Sequence, residues 1–80
     1  MTDQGRLPDA HVARQAVVVK RRLRLLGWHF QDTGLEPTGL YNTQTVTTPN
    51  GTVVGNLNSK TIINLYKGGF FGQPQWTQAP

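Results

Sequence analysis

Val12, Ala16, Val19, Leu23 and Leu26 follow one another at spacings of four, three, four and three residues. At 3.6 residues per turn, those spacings place all five on one narrow apolar stripe of a helix. Pro8 stops anything earlier, and the Asp9 carboxylate is positioned to accept from the exposed N–H groups of the first turn. Gly27 supplies a left-handed stop. A helix is therefore expected from about residue 10 to 26. Three consecutive valines, Val17 to Val19, lower its intrinsic propensity slightly, so the stripe has to be covered for the helix to persist.

The chain has only 80 residues with which to cover it. One domain of that size buries a modest share of its surface and is marginally stable alone. There is no cysteine, so neither a disulfide nor a thiolate metal site can help. Two histidines, His11 and His29, are too few for a zinc site without carboxylates. No metal or cofactor is expected, and a partner surface is the remaining supplement. Charged residues make up 15% of the chain, below the usual quarter, and Thr, Asn, Gln and Gly stand in their place. That composition suits extended, hydrogen-bonded chain lying on another protein.

The remaining segments read as follows. Residues 1–8 form a flexible or draped arm, since Gly5 and Pro8 oppose regular structure. Residues 27–42 are expected to be irregular, punctuated by Gly34, Pro37 and Gly39, with Trp28 and Phe30 folding back under the helix. In TQTVTTPNGTVV, residues 43–54, two β-prone arms flank Pro49-Asn50-Gly51. Asn-Gly is the strongest short hairpin signal, because both residues accept positive φ. A lone hairpin is marginal and also asks for a neighbour. SKTIINLY, residues 59–66, reads as a short second helix with Ser59 or Asn58 at its N-cap and Ile62, Leu65 and Tyr66 facing inward. A strand is the competing reading, because Thr, Ile and Tyr are strand formers. The tail, residues 68–80, is rich in Gly and Pro and carries Phe70, Phe71 and Trp76. Burying each of these rings is worth about 2–3 kcal/mol, so they either cap the small core or anchor a partner.

Eight Lys/Arg against four Asp/Glu give a net charge of +4, which suits an anionic partner. No acid falls between Asp9 and Asp32, and Arg14, Lys20, Arg21 and Arg24 are expected on the helix face opposite the stripe, with Arg22 flanking it. Such a face suits nucleic-acid phosphates or an acidic surface. Base readout would want Asn, Gln or further Arg on that face, and only Gln15 is offered. Val17, Val18 and Leu25 also lie away from the stripe. A helix with two apolar surfaces implies two neighbours, its own core and another chain.

Catalysis finds little support. Asp3 lies in the arm, Asp9 caps a helix, and Asp32 and Glu36 share one Gly/Pro loop. Ser59 is the only serine and lacks a nucleophile-elbow pattern; Gly68-Gly69 lacks the frame of a phosphate loop. No run of about 18 apolar residues is present, so no membrane span is expected. MTDQGRLPDA has no signal-peptide core.

VKRRLRLLGW, Val19 to Trp28, resembles the first helix of the peptidoglycan-binding-like domain family, with Lys20 in place of the usual Gln. GLYNTQT (Gly39–Thr45) and GNLNSKT (Gly55–Thr61) look like that family's turn, with Asn42 and Asn58 at its second Gly position. Asn tolerates the left-handed conformation such a position needs. The resemblance implies a cell-wall-binding module in which the Thr of each turn starts a helix. The hairpin sequence VTTPNGTV, however, stands where the family sets its next helix.

These readings combine into an α+β expectation: one amphipathic N-terminal helix, a β-hairpin, a short second helix and extended termini, with one small domain over residues 9–67. The expected role is a non-enzymatic assembly protein, in concrete form a minor, cementing or connecting subunit of a virus or phage particle. Its location would be a virion or a cytoplasmic assembly. Val17, Val18, Leu25, Phe70, Phe71 and Trp76 are the expected partner contacts, and Arg14, Lys20, Arg21 and Arg24 the anionic-partner contacts. A cell-wall module and a non-specific nucleic-acid-binding protein are the alternatives.

Overall fold

The structure, a computed structural model, describes residues 9–72. Helix α1 spans Ala10–Leu25. Strands β1 (His29–Leu35), β2 (Asn42–Thr47) and β3 (Val53–Asn58) follow, then helix α2 (Ser59–Lys67) and a 3₁₀ turn at Phe70–Gly72. The three strands form one antiparallel sheet in the order β1-β2-β3. The architecture is α+β, as the sequence indicates.

Helix α1 starts and stops where its residues require. The Asp9 carboxylate accepts from His11 N–H at 3.0 Å and Val12 N–H at 3.1 Å. Asp9 N–H donates to Leu40 O at 2.8 Å, tying the cap to the loop before β2. Val12, Ala16, Val19 and Leu23 are buried as the stripe requires. Leu26 is not: it is the C-cap, 69% exposed, because the chain has already left the helix there. Gly27 takes φ 102°, and a Cβ on it would sit 3.1 Å from Pro49 Cβ. Both the backbone conformation and the close approach of the β2–β3 turn demand glycine.

The hairpin forms over β2 and β3, but not through a two-residue Asn-Gly turn. Gly51 N–H donates to Thr48 O at 3.0 Å, which puts Pro49 and Asn50 at the centre of the turn. Gly51 alone takes the left-handed conformation, with φ 91°. Among the described residues no non-glycine has positive φ, so Asn42, Asn50 and Asn58 are not left-handed. Asn58 instead caps α2 in an extended conformation, its side chain accepting from Thr61 N–H at 2.7 Å.

Strand β1 occupies a stretch expected to be irregular. It pairs His29 with Thr47 and Leu35 with Asn42, with a bulge between Asp32 and Gly34. Phe30 alone among its side chains is partly buried, packed against the core, so its order comes mainly from the ladder with β2. It makes β2 a central strand.

The core lies between the two helices and the sheet. Val12, Ala16, Val19 and Leu23 of α1 meet Val46 of β2 and Ile62 and Ile63 of α2. Trp28 and Phe71 close the core with an edge-to-face contact, ring centroids 4.7 Å apart. Phe71 is thus a core residue and not a free partner contact. The domain runs past Lys67 to include the 3₁₀ turn, which belongs to the expected tail. Residues 1–8, expected to form an arm, and Trp76 lie outside the described residues.

Candidate functional site

Helix α1 exposes two different flanks, because Val17 and Val18 are successive residues and diverge by about 100° around the axis. Val17 looks toward the sheet. There it lines a polar cleft of about 320 Å³ with Ala13, Lys20, Asp32, Gln44 and Ser59. Val18 looks toward α2. It lines an apolar cleft of about 240 Å³ with Gln15, Val19, Ile63, Tyr66 and Lys67. The three aliphatic residues expected to form one outer patch therefore do not: Leu25, 88% exposed, stands apart at the helix end.

The polar cleft accounts for Lys20. Expected on the outer basic face, Lys20 is only 9% exposed. It follows Ala16 by four residues and precedes Leu23 by three, so it rides the edge of the buried stripe. Its ammonium lies 4.0 Å from Asp32 Oδ1. Burial holds the Lys20 pKa below its ordinary value; the Asp32 carboxylate opposes that shift and Arg24 adds to it. The Asp32 side chain is largely in solvent, so the pair contributes at most about 1 kcal/mol. Gln44 lies beneath, 1% exposed, with its Nε2 donating to Ser59 Oγ at 3.4 Å and Asp32 Oδ1 at 3.5 Å. Its Oε1 is buried without a hydrogen-bond partner among the described residues. Ser59 in turn donates to Asn42 O at 3.3 Å. These long, weak bonds link the sheet to α2, and the Lys20–Asp32 pair brings α1 to the same polar cluster. Ser59 donates to a backbone carbonyl and has no base behind it, so the cluster lacks the nucleophile–base geometry of acyl transfer.

The apolar cleft continues along the α1–α2 seam. A second apolar hollow, about 170 Å³, is lined by Leu23, Leu26, Tyr66, Gly69, Phe71 and Gly72. Tyr66 belongs to both and divides them. Its hydroxyl accepts from Arg22 Nη1 at 3.1 Å, which fixes Arg22 at the seam. Lys67 also lines the first cleft. Arg24 lies over the Phe30 ring, 5.7 Å from its centroid. Arg14 and Arg21 are exposed on the outer face, as expected.

Sequence reasoning missed the seam. The signal was the Ile62-Ile63 pair: two successive helical residues cannot share one direction, so one of them has to face a flank. Both are buried, Ile62 in the core and Ile63 at the cleft. Helices α1 and α2 carry Arg14, Lys20, Arg21, Arg22, Arg24, Lys60 and Lys67, which is seven of the chain's eight Lys/Arg. Neither helix contains an acid.

Among the described residues no group of three His, Cys, Asp or Glu could hold a metal ion. Within the same residues no helix is long and apolar enough to cross a membrane. Comparison with protein-family models, curated proteins and solved structures returns no match.

Proposed function

We propose that the chain is a small, non-enzymatic assembly protein, held to another protein by contacts along α1 and the α1–α2 seam. The observation that carries this reading is Val18, Leu25 and Leu26, three large aliphatic side chains left 47–88% exposed on the main helix and its C-cap. Scattered exposed apolar residues need no explanation; here Val18 and Leu26 flank apolar hollows of one seam. The concrete form we favour is a minor, cementing or connecting subunit of a virus or phage particle. Small size, a β-prone hairpin and a composition poor in charge and rich in Thr, Asn, Gln and Gly support it.

The test is site-specific photo-crosslinking from Val18 and Leu25 in the source cells, with the products identified by mass spectrometry. Discrete protein adducts of fixed stoichiometry are expected from both positions. Adducts to nucleic acid alone, or none, would end the reading.

A second reading, non-specific nucleic-acid binding, is favoured by Arg14 and Arg21, exposed on a helix without acids. It predicts affinity for duplex DNA that falls steeply with salt and is lost in Arg14→Gln/Arg21→Gln. The cell-wall module implied by the family resemblance predicts retention on purified peptidoglycan.

A further inference from the structure

We propose that the α1–α2 seam is a groove for an acidic amphipathic helix of another protein. The inference rests on the assembly reading above and adds the chemistry of the partner.

The floor of the groove is apolar. Val18, Val19 and Ile63 line its first hollow, Leu23, Leu26 and Phe71 its second, with Tyr66 between them. Two cations stand beside that floor: Arg22, bonded to the Tyr66 hydroxyl between the hollows, and Lys67, which lines the first hollow. No carboxylate lies on either helix. An apolar floor with cations beside it and no acid on either helix is complementary to an apolar stripe flanked by carboxylates, which is the surface an acidic amphipathic helix presents.

The spacing of the hollows sets the spacing of the anchors. On the α1 side the first is lined by Gln15, Val18 and Val19 and the second by Leu23 and Leu26, about seven residues further on. Seven residues rise about 10 Å along a helix. A partner helix lying along the seam would therefore place two large apolar side chains at positions i and i+7, one in each hollow. Carboxylates on either side of that stripe would meet Arg22 and Lys67.

Nucleic acid fits the groove less well. A phosphate backbone would pair with these cations but leave Val18 and Leu26 in water. A second copy of this chain is disfavoured by charge, since it would bring two helical layers of seven cations each face to face.

The experiment uses the full chain and a synthetic 18-residue helical peptide with Leu at i, i+3 and i+7 and Glu on both flanks. Binding is measured by fluorescence anisotropy, and its location by amide chemical shifts. Saturable binding is expected, with the largest shifts at Val18, Ile63, Tyr66 and Lys67. Val18→Glu and Leu26→Glu should each weaken it at least tenfold, and Lys67→Glu about fivefold. Val53→Glu, on the exposed face of β3, should leave it unchanged and serves as the folding control.

Several results would overturn the proposal. One is equal binding by a peptide with its Leu residues replaced by Ala, which would reduce the effect to charge alone. Others are shifts confined to residues off the seam, tighter binding to duplex DNA or anionic vesicles, and a dimer of the chain that Val18→Glu dissociates. Binding that tightens tenfold in Trp76→Ala would assign the groove to the chain's own Trp76. If the peptide fails while crosslinks from Val18 and Leu25 still capture a protein, only the acidic-helix chemistry falls and the assembly reading stands.

Discussion

At the scale of single residues, Gly27 and Lys20 show what position imposes. Gly27 joins α1 to β1 with φ 102° and Pro49 packed where a Cβ would go. Gly27→Ala should cost about 1–3 kcal/mol, from left-handed backbone strain and the displaced turn. In a domain this size each kcal/mol lowers Tm by about 4–8 °C, which calorimetry would show. A Tm within 2 °C of wild type would contradict the close packing of Pro49. Lys20 gives a pH signature. Its folded-state pKa lies below the ordinary value of 10.5, chiefly through burial. Between the two values the unfolded chain binds more protons than the folded one, so stability contributed by this group rises with pH there. Denaturant melts across that window should show the rise, and Lys20→Met should remove it. Asp32→Asn removes the carboxylate that raises the Lys20 pKa, and should lower that pKa further, as read from the side-chain carbon shifts.

At the scale of elements, the helices were legible and one strand was not. The apolar stripe, the Asp9 cap and the Gly27 stop are local signals, and α1 follows them closely. The Asn58 cap and Ile62 did the same for α2. Strand β1, HFQDTGL, has neither alternation nor β-branched runs, and it buries almost nothing. Its order depends on the free edge of β2, which no local pattern in residues 29–35 reports. The marginal stability of a two-stranded hairpin was the only hint that a third strand was needed. Of the site, the exposure of Val18 and Leu25 was readable, but the seam was not, because it exists only once α2 lies against α1. Caps give a test at this scale. Asp9→Ala should cost about 1 kcal/mol, and Asn58→Ala somewhat more, since Asn58 also donates to Glu36 Oε1 at 2.9 Å. Hydrogen exchange should show α1 or α2 fraying from its first turn in each variant. Unchanged protection would contradict the caps.

At the scale of the whole molecule, the charge of the two helices is one-sided: within Ala10–Leu25 and Ser59–Lys67 every charged residue is a cation, Asp9 sits at the N-cap of α1, and Asp32 and Glu36 lie in β1 and the loop that follows it. Partner association should therefore have a rate constant that falls as salt rises, with a dissociation rate changed much less. Stopped-flow binding to the acidic peptide across a salt series would show that split. A dissociation rate that changed as much as the association rate would contradict it.

Gly34 bears on a different question, that of unwanted association. Among the described residues β1 and β3 are the two edge strands of the sheet, and edge strands left open recruit strands from other chains. At β1 the bulge between Asp32 and Gly34, where Gly34 takes φ 118°, breaks the regular run of edge donors and acceptors. The same edge carries the Asp32 carboxylate, exposed to solvent. The bulge thus makes β1 a poor template for a strand from another copy, and straightening that edge, as in Gly34→Val, should turn a chain that stays dispersed into one that builds fibres.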